Sequence, residues 1–265
     1  MLVGVVQMCS GEDREGNLAK AERFISIAAQ QGCKLVVLPE HFSFRGKDTQ
    51  LRAYAESIPD GPVSQWARNL AQKLKIWLLA GTIPERDGEK IYNTSMLINP
   101  EGHIIARYRK IHLFDAVIHG AVYKESAVFS PGHTPCAVET PLGKLGLSIC
   151  FDIRFPELYV TLTRMGAEIL LVPASFALYT GKDHWEPLLR ARAIENQAYV
   201  VASNQVGESP EKKLSLGRSA IIDPWGVAIA QASDVETVIW AEVDVQYLRN
   251  IRSTYPFMQA RNWTI

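Results

Sequence analysis

Short apolar runs alternate with longer amphipathic stretches along the whole of this 265-residue chain. The runs are rich in Val, Ile and Leu, which favours strands that are buried on both faces. The stretches between them carry apolar residues at helical spacing, as Leu18, Ala21, Ile25 and Ala28 do before the second run. This alternation is typical of helices packed against a largely buried sheet. Strands are predicted at residues 2–8, 34–40, 76–83, 93–99, 103–109, 144–150, 167–174, 199–206, 218–224, 226–232 and 238–245.

The order of these elements repeats in the second half of the chain. "LVGVVQM" corresponds to "KLGLSIC", and "KLVVLPE" corresponds to "AEILLVPA". In the second half one helix is predicted between Pro156 and Gly166 and another over about 184–197. The repeat predicts an α/β fold in which two similar halves pack sheet to sheet with helices outside, a four-layer α-β-β-α sandwich. A plain doubly wound sheet is the alternative. Because no linker interrupts the pattern, residues 1–265 are predicted to form a single domain.

The charges of the chain balance, with 28 basic and 28 acidic residues. We therefore expect neither nucleic acid nor a membrane surface as a partner, and a small molecule is the better candidate ligand. No apolar stretch approaches the ~18 residues of a membrane span, and the first residues lack the features of a signal peptide. These observations predict a cytoplasmic protein.

The four cysteines are widely spaced and form no C-x-x-C motif. This spacing argues against a disulfide framework and against a structural zinc site. At least three of the four are predicted to be buried small apolar residues. Cys150 differs from the others, because it ends an apolar run and is followed within four residues by Asp152 and Arg154. Its position favours a thiol that is displayed rather than packed in a core.

Three polar residues follow predicted strands: Glu40, Lys110 and Cys150. Residues after the carboxyl ends of strands point into the crevice where α/β sheets bind ligands, so the three could converge. A carboxylate can accept the thiol proton, and a lysine can stabilise a thiolate and then an oxyanion. Taken singly, each has an ordinary alternative: a core cysteine, a surface or capping acid, and a solvated lysine. His112 and His184 are less favoured as the base, because most lone histidines have structural or surface roles.

Three blocks of the sequence, "VVLPEHF", "YRKIHLFD" and "GLSICFDIRFPEL", resemble the signature blocks of the nitrilase superfamily of carbon-nitrogen hydrolases. The resemblance implies that Glu40 is the general base, Lys110 the oxyanion stabiliser and Cys150 the nucleophile. It also implies a second glutamate, Glu125, near the lysine, and an oxyanion contact from the backbone N–H of Phe151. The resemblance further implies the same sandwich fold and no metal or organic cofactor. It also implies a homodimer or higher homo-oligomer that assembles through outer helices and the C-terminal tail.

The substrate that this resemblance implies is a small carboxylate-bearing amide, cleaved through a cysteine thioester to an acid and ammonia. The block "HWEPLLRARAIENQAYVVAS" resembles deaminated glutathione amidases more than omega-amidases, which act on α-ketoglutaramate. A nitrilase is a weaker alternative, and a non-catalytic binding module or a thiol redox protein is weaker still. Arg154 is the candidate for binding the substrate carboxylate, since a guanidinium offers a bidentate fork. The alternative for Arg154 is a structural salt bridge to Glu157 or Asp152.

Overall fold

The computed structural model of the chain describes residues 1–118 and 120–261. The helices are α1 (Arg14–Gln30), α2 (Asp48–Tyr54), α3 (Pro62–Leu74), α4 (Pro156–Arg164), α5 (Leu178–Asn196) and α6 (Val245–Thr254). The strands of the first half are β1 (Leu2–Gln7), β2 (Leu35–Val37), β3 (Trp77–Leu79), β4 (Ile83–Asp87), β5 (Lys90–Ile98), β6 (Ile104–Arg109), β7 (Asp115–Ile118) and β8 (Ala121–Lys124). Those of the second half are β9 (Cys136–Val138), β10 (Leu145–Leu147), β11 (Ile169–Ala174), β12 (Tyr199–Asn204), β13 (Val206–Glu208), β14 (Leu214–Leu216), β15 (Ala220–Ile222), β16 (Ala228–Gln231) and β17 (Thr237–Glu242). Short 3₁₀ helices cover Glu125–Ala127 and Cys150–Arg154.

Within the described residues the strands form two large sheets and two separate hairpins, β7-β8 and β13-β14. The order in the first sheet is β17-β1-β2-β3-β5-β4, with β6 also paired to β5. The order in the second sheet is β16-β15-β12-β11-β10-β9. Three strands run parallel at the centre of each sheet, β1-β2-β3 in one and β10-β11-β12 in the other. β17 pairs antiparallel with β1, so a strand from the end of the chain completes the first sheet.

Alternate residues of the central strands face different layers. Val3 and Val5 of β1 lie in the core that also contains Leu145 and Ile169 of the second sheet. Val6 lies in a separate core with residues of α1 and α3. Because side chains alternate along a strand, each central strand contributes to both cores. The two sheets therefore pack face to face with helices on the outer sides, which confirms the predicted α-β-β-α sandwich over a plain doubly wound sheet.

Two glycines occupy matching positions in the two halves, Gly4 in β1 and Gly146 in β10. A Cβ atom on Gly4 would lie 3.0 Å from the Cβ of Ala28 in α1. A Cβ atom on Gly146 would lie 3.0 Å from the Cβ of Ala167 and 3.3 Å from that of Leu162 in α4. Helix and sheet approach closely at both sites, so a larger side chain would force the layers apart. The internal repeat seen in the sequence is therefore present in the packing as well.

Several boundaries differ from the predicted ones. The run over 76–83 is divided between β3 and β4, because the chain turns at Gly81, where φ is +30°. Helix α5 begins at Leu178 rather than near His184, and its Gly181 allows a close approach to Leu216 of β14. The apolar pattern did not predict the hairpin β7-β8, whose residues are exposed or only half-buried. A strand of that kind buries too little apolar surface to give a clear periodic signal.

The prediction that at least three of the four cysteines are buried is wrong, since only two of them are. Cys33 and Cys150 are buried, whereas Cys9 and Cys136 are partly exposed. Cys9 lies in the loop after β1, and Cys136 lies in β9, at the edge of the second sheet. All four are free thiols.

The described part of the chain contains no helix long and apolar enough to cross a membrane. In the same residues no group of three or more His, Cys, Asp or Glu side chains is placed to hold a metal ion. Residues 262–265, the end of the C-terminal tail to which the resemblance assigns a part in dimerisation, lie outside the described residues.

Candidate active site

The structure brings Glu40, Lys110 and Cys150 together at one end of the sandwich. Glu40 lies in the loop after β2, Lys110 directly follows β6, and Cys150 begins a 3₁₀ helix shortly after β10. β2 and β6 belong to the first sheet and β10 to the second, so the group forms where the carboxyl ends of strands from both sheets meet. The convergence expected from the strand ends is therefore present in the fold.

Lys110 lies between two carboxylates. Its Nζ donates to Glu40 Oε1 at 2.9 Å and to Glu125 Oε1 and Oε2 at 3.0 and 2.8 Å. The side-chain amide of Asn93, in β5, donates at 2.9 Å both to Glu40 Oε1 and to Glu125 Oε1. The backbone N–H of Phe114 donates to Glu125 Oε2 at 2.7 Å. These bonds fix the ammonium and both carboxylates in one network.

The charges in this network stabilise one another. Lys110 and Glu40 are each only 2% exposed. Burial alone would lower the pKa of Lys110, but the carboxylates of Glu125 and Glu40 raise it well above its usual value of 10.5. Burial alone would raise the pKa of Glu40, yet Lys110, by its charge and hydrogen bond, is the main cause that lowers it to about 2. At neutral pH the lysine is therefore charged and Glu40 is ionised.

The second carboxylate oxygen of Glu40 faces the cysteine side of the site. Glu40 Oε2 accepts a hydrogen bond of 2.8 Å from the backbone N–H of Ser175, directly after β11. Glu40 and Cys150 line the same cavity, and the charge of Glu40 raises the pKa of the Cys150 thiol. An ionised carboxylate this close to a thiol is placed to accept its proton.

Cys150 occupies a strained position at the start of its 3₁₀ helix. Its φ is +46°, in the left-handed region that residues other than glycine rarely adopt. The residue is 7% exposed, and it borders the cavity described below. Burial and then the charge of Glu40 raise the pKa of Cys150 well above its usual value of 9.0, although Lys110 opposes them. The resting group is therefore a thiol beside an ionised carboxylate.

Asp152 holds the turn that displays the cysteine. It is fully buried, and its Oδ2 accepts from the backbone N–H of Ile149 at 2.9 Å and from the hydroxyl of Tyr108 at 2.7 Å. Its Oδ1 lies 2.7 Å from Nδ1 of His112 and accepts from the His112 backbone N–H at 3.0 Å. The ring of His112 also stacks on Phe155, with centroids 3.7 Å apart. His112 thus supports Asp152, as the structural interpretation of this histidine predicts.

Arg154, the candidate for binding the substrate carboxylate, contacts aromatic rings and a histidine. Its guanidinium lies 4.9 Å from the ring centroid of Phe176 and 5.9 Å from that of Phe151, and its Nη1 is 3.2 Å from Nδ1 of His184. Among the described residues it forms no salt bridge with Asp152, which is committed to Tyr108 and His112. Burial lowers the pKa of Arg154. Arg154 is absent from the part of the described chain that lines the cavity.

A cavity of about 340 Å³ opens above Cys150, a volume suited to a small ligand. Glu40, Lys110, Glu125 and Cys150 lie on its wall. The hairpins β7-β8 and β13-β14 form another part of the wall. Arg45, in the loop between β2 and α2, also lines it. The chemistry-bearing residues therefore open onto a half-open cavity.

Sequence reasoning missed three residues of this site: Asn93, Ser175 and Arg45. Asn93 is a buried amide in β5, and a buried amide needs hydrogen-bond partners, but two further polar residues, Thr94 and Ser95, follow it, so it did not stand out in the sequence. Ser175 acts through its backbone N–H, so the residue type gives no signal. Arg45 stands between buried aromatic residues and an irregular loop, and only the tertiary structure shows what it faces.

The pH dependence of Cys150 alkylation tests the coupling between the thiol and Glu40. In the wild-type protein we expect the rate of modification by iodoacetamide to keep rising with pH beyond 9.0, the usual thiol pKa, because burial and Glu40 raise the pKa of Cys150. Glu40→Gln removes the negative charge while Lys110 remains, so the whole profile is expected to move to lower pH. Mass spectrometry of the Cys150 peptide gives the rate at each pH.

Cys136 provides the internal control for this measurement. Burial raises its pKa, and Glu40 is not among the causes. Its alkylation profile should be the same in the wild-type and Glu40→Gln proteins. A Cys150 profile that is unchanged, or that moves to higher pH, would contradict the coupling.

Comparison with known proteins places this geometry in a family. Residues 2–253 match the carbon-nitrogen hydrolase family. The chain belongs to that family. It is 43% identical to a deaminated glutathione amidase from Synechocystis sp. (strain PCC 6803 / GT-S) over 266 residues, which cover 98% of this chain and 97% of that protein. It is 39% identical to omega-amidase NIT2 from Danio rerio over 260 residues, covering 98% of this chain and 94% of that protein.

Solved structures agree with this assignment. The crystal structure of Saccharomyces cerevisiae Nit3, a member of branch 10 of the nitrilase superfamily, matches with a TM-score of 0.90 and 37% sequence identity. The match covers 99% of this carbon-nitrogen hydrolase and 97% of the yeast chain. The resemblance of the three sequence blocks to the nitrilase superfamily is thereby confirmed, as are the hydrolase class and the amidase type of the enzyme.

Proposed function

We propose that this carbon-nitrogen hydrolase cleaves a small carboxylate-bearing amide through a thioester on Cys150. The observation that carries the proposal is the arrangement of Lys110, whose ammonium lies within 3.0 Å of both Glu40 and Glu125 beside the thiol. A nucleophile, a base and a fixed positive charge are the groups that acyl transfer requires. They face a cavity of small-molecule size.

In the first half-reaction Glu40 accepts the proton of Cys150 while Sγ attacks the amide carbonyl carbon. Because Glu40 has a low pKa and the thiol a high one, a free thiolate is unfavourable in the resting site. Proton transfer therefore accompanies attack, as the new S–C bond forms and the carbonyl π electrons move to oxygen. The tetrahedral intermediate collapses when the C–N bond breaks, and Glu40 returns the proton to the departing nitrogen.

In the second half-reaction a water molecule replaces the amine. Glu40 takes a proton from that water molecule while the water oxygen attacks the thioester carbon. The second tetrahedral intermediate expels Cys150 Sγ, which recovers the proton from Glu40 as the acid is released. One carboxylate thus serves both halves of the reaction, and the net charge of the site returns to its starting value.

Lys110 and the backbone N–H of Phe151 are the proposed donors to the oxyanion. Phe151 directly follows the nucleophile in the first turn of the 3₁₀ helix, where backbone N–H groups have no acceptor within the helix. An oxyanion donor of this kind typically contributes about 10²- to 10³-fold in rate. Glu125 is a positioning residue in this scheme, since its two oxygens hold the Lys110 ammonium.

Deaminated glutathione is the proposed preferred substrate, with α-ketoglutaramate as the alternative. Both compounds present the same 2-oxoglutaryl group on the acyl side of the amide. Deaminated glutathione adds a second carboxylate at the far end of its leaving group. Lys124 lines the more exposed part of the cavity, and its positive charge favours a substrate with a second carboxylate, whereas Lys213 is paired with Glu211. The similarity to a deaminated glutathione amidase supports the same choice.

The product predicted from the sequence, ammonia, needs revision for this substrate. The amide of deaminated glutathione is secondary, so its hydrolysis yields 2-oxoglutarate and cysteinylglycine. Only α-ketoglutaramate, a primary amide, releases ammonia with the same acid. An assay for 2-oxoglutarate therefore measures both reactions on one scale.

A substrate screen tests the proposed function. We expect kcat/KM to be highest for deaminated glutathione, lower for α-ketoglutaramate, and about 10²-fold lower or more for simple aliphatic amides, because a site built for a carboxylate leaves its cation unpaired with an uncharged compound. Acid production is measured for all of them, with a nitrile included. The matched control is a Cys150→Ala preparation, which reports contaminating hydrolases. Equal activity on acetamide, or activity on the nitrile alone, would contradict the proposal.

We also propose that the enzyme works as a cytoplasmic homodimer. Four free thiols suit a reducing compartment. On the outer face, Trp225 is 53% and Tyr255 54% exposed, and their rings lie 5.6 Å apart. Ile194 of α5 is exposed beside them, next to Gly226. A contiguous apolar surface that includes an outer helix is suited to a second copy of the chain, and the mass of the assembly in solution decides the point.

A further inference from the structure

Arg45 is a buried cation whose hydrogen-bonding capacity is only partly used. Its side chain is 8% exposed. Nη2 donates to Ser215 Oγ at 3.0 Å, while Nη1 is buried and has no hydrogen-bond partner within the described residues. An unpaired guanidinium nitrogen that is shielded from water is costly, so its retention calls for a partner that is absent from the protein itself.

The position of Arg45 shows where that partner would lie. Arg45 lines the same cavity as Cys150 and Glu40. A short chain of contacts connects it to the reacting groups: Ser175 donates its backbone N–H to Glu40 at 2.8 Å, and its hydroxyl lies 3.3 Å from that of Ser215, which accepts from Arg45. The guanidinium of Arg45 is therefore linked through two serines to the carboxylate of the site, on the side of the cavity that includes Ser215 of β14.

We propose that Arg45 binds the carboxylate on the acyl side of the substrate and so determines the preference of this enzyme for 2-oxo acid amides. A carboxylate can accept from Nη1 and Nη2 together in the bidentate arrangement that a guanidinium favours. In a 2-oxoglutaryl group the carboxylate and the amide carbon are separated by four C–C bonds, about 5 Å when extended. This assignment rests on the proposed amidase function, and it replaces Arg154, which does not line the cavity.

The surroundings of Arg45 favour an anion from the substrate over one from the protein. Glu211, in the loop between β13 and β14, is paired with Lys213 at 2.9 Å. Glu40 and Glu125 are both paired with Lys110. Each of the three acids that line the cavity in the described chain thus already contacts a lysine, Lys110 for two of them and Lys213 for the third, and none is paired with Arg45.

The test compares two amides that differ only at the carboxylate. α-Ketoglutaramate carries it, and 4-oxopentanamide has a methyl group in its place. For Arg45→Met we expect kcat/KM on α-ketoglutaramate to fall about 10²-fold, the loss typical of a removed charged hydrogen bond, with a change of less than about threefold on 4-oxopentanamide. Arg154→Met is the matched control, and it should keep the wild-type ratio between the two amides.

A binding measurement makes the result independent of turnover. 2-Oxoglutarate is titrated by calorimetry into the Cys150→Ala protein and into the same protein with Arg45→Met. We expect its Kd to rise by about 10²-fold in the second protein. If Arg45→Met does not fold, Arg45→Gln keeps a donor for Ser215 while it removes the charge, and the same increase in Kd is expected.

The outcomes separate the two proposals. Equal losses on both amides, or an unchanged Kd for 2-oxoglutarate, would overturn the assignment of Arg45. A loss on deaminated glutathione without one on α-ketoglutaramate would move Arg45 to the leaving-group carboxylate and overturn the acyl-side assignment. If the preference for α-ketoglutaramate over 4-oxopentanamide is lost in Arg154→Met but kept in Arg45→Met, Arg154 rather than Arg45 binds the acyl-side carboxylate. If the wild-type enzyme hydrolyses no amide, the proposed function fails, whereas the binding measurement still tests Arg45.

Discussion

Cys150→Ala is expected to keep the fold and to reduce amide hydrolysis by about 10⁴-fold or more, because Cys150 is the only thiol among the described residues that line the cavity. The substitution removes one sulfur atom and leaves Glu40 with its bonds to Lys110, Asn93 and Ser175. No buried charge is therefore left without a partner. Steady-state assays of 2-oxoglutarate release, with circular dichroism of the same preparation, measure the two parts of the prediction.

Cys33→Ala is the matched control for this experiment. Cys33 is buried near Gly4 of β1, on the outer side of the first sheet and away from the cavity. Its loss should lower the free energy of unfolding by about 1 kcal/mol and leave the rate per folded molecule unchanged. Retained hydrolysis by a natively folded Cys150→Ala protein would refute the assignment of the nucleophile.

Glu40→Gln is expected to reduce turnover by about 10³-fold, because general acid-base catalysis contributes about 10²- to 10⁴-fold and this carboxylate acts in both half-reactions. A glutamine has only one acceptor oxygen, so it cannot accept from both Lys110 and Ser175 as Glu40 does. Some loss of stability should accompany the loss of rate. Assays of release of the acid, together with thermal unfolding, distinguish the two effects.

Glu125→Gln is a useful comparison for Glu40→Gln. Glu125 also contacts Lys110, but its second oxygen bonds to the backbone of Phe114 rather than to the cysteine side of the site. We expect the Glu125→Gln enzyme to turn over more slowly, because the Lys110 ammonium is displaced. Glu40 should still accept the proton of Cys150 in this variant. A Glu40→Gln enzyme that turns over at the wild-type rate would make Glu125 the first candidate for the base.

The sequence predicted the architecture and the centre of the site well, for physical reasons. Glu40, Lys110 and Cys150 each follow a strand, and the carboxyl ends of parallel strands meet in a crevice. The apolar periodicity of the central strands is strong because both faces are buried. The matching glycines, Gly4 and Gly146, show that the repeat extends to single packing contacts. The roles of the three residues came from the resemblance, and they remain predictions that the experiments above test.

The walls of the cavity could not be predicted in the same way. The hairpins β7-β8 and β13-β14 are short and belong to neither large sheet, so their position depends on contacts between distant segments. Arg45 and Ser215 are 170 residues apart, and their contact leaves no local pattern in the sequence. Arg154 was favoured because it lies near Cys150 in the chain, yet its side chain packs against Phe176. The role of Arg154 in substrate binding stays a prediction, which the Arg154→Met variant tests.

Acyl transfer through a thioester on Cys150 is tested most directly by mass spectrometry of the Glu40→Gln enzyme quenched with acid during a single turnover. We expect an added 2-oxoglutaryl mass on the peptide that contains Cys150. The added mass should be the same with deaminated glutathione and with α-ketoglutaramate, since the two share their acyl group. Formation of acid by this enzyme while Cys150 stays unmodified at every time, or an acyl group on another residue, would contradict that mechanism.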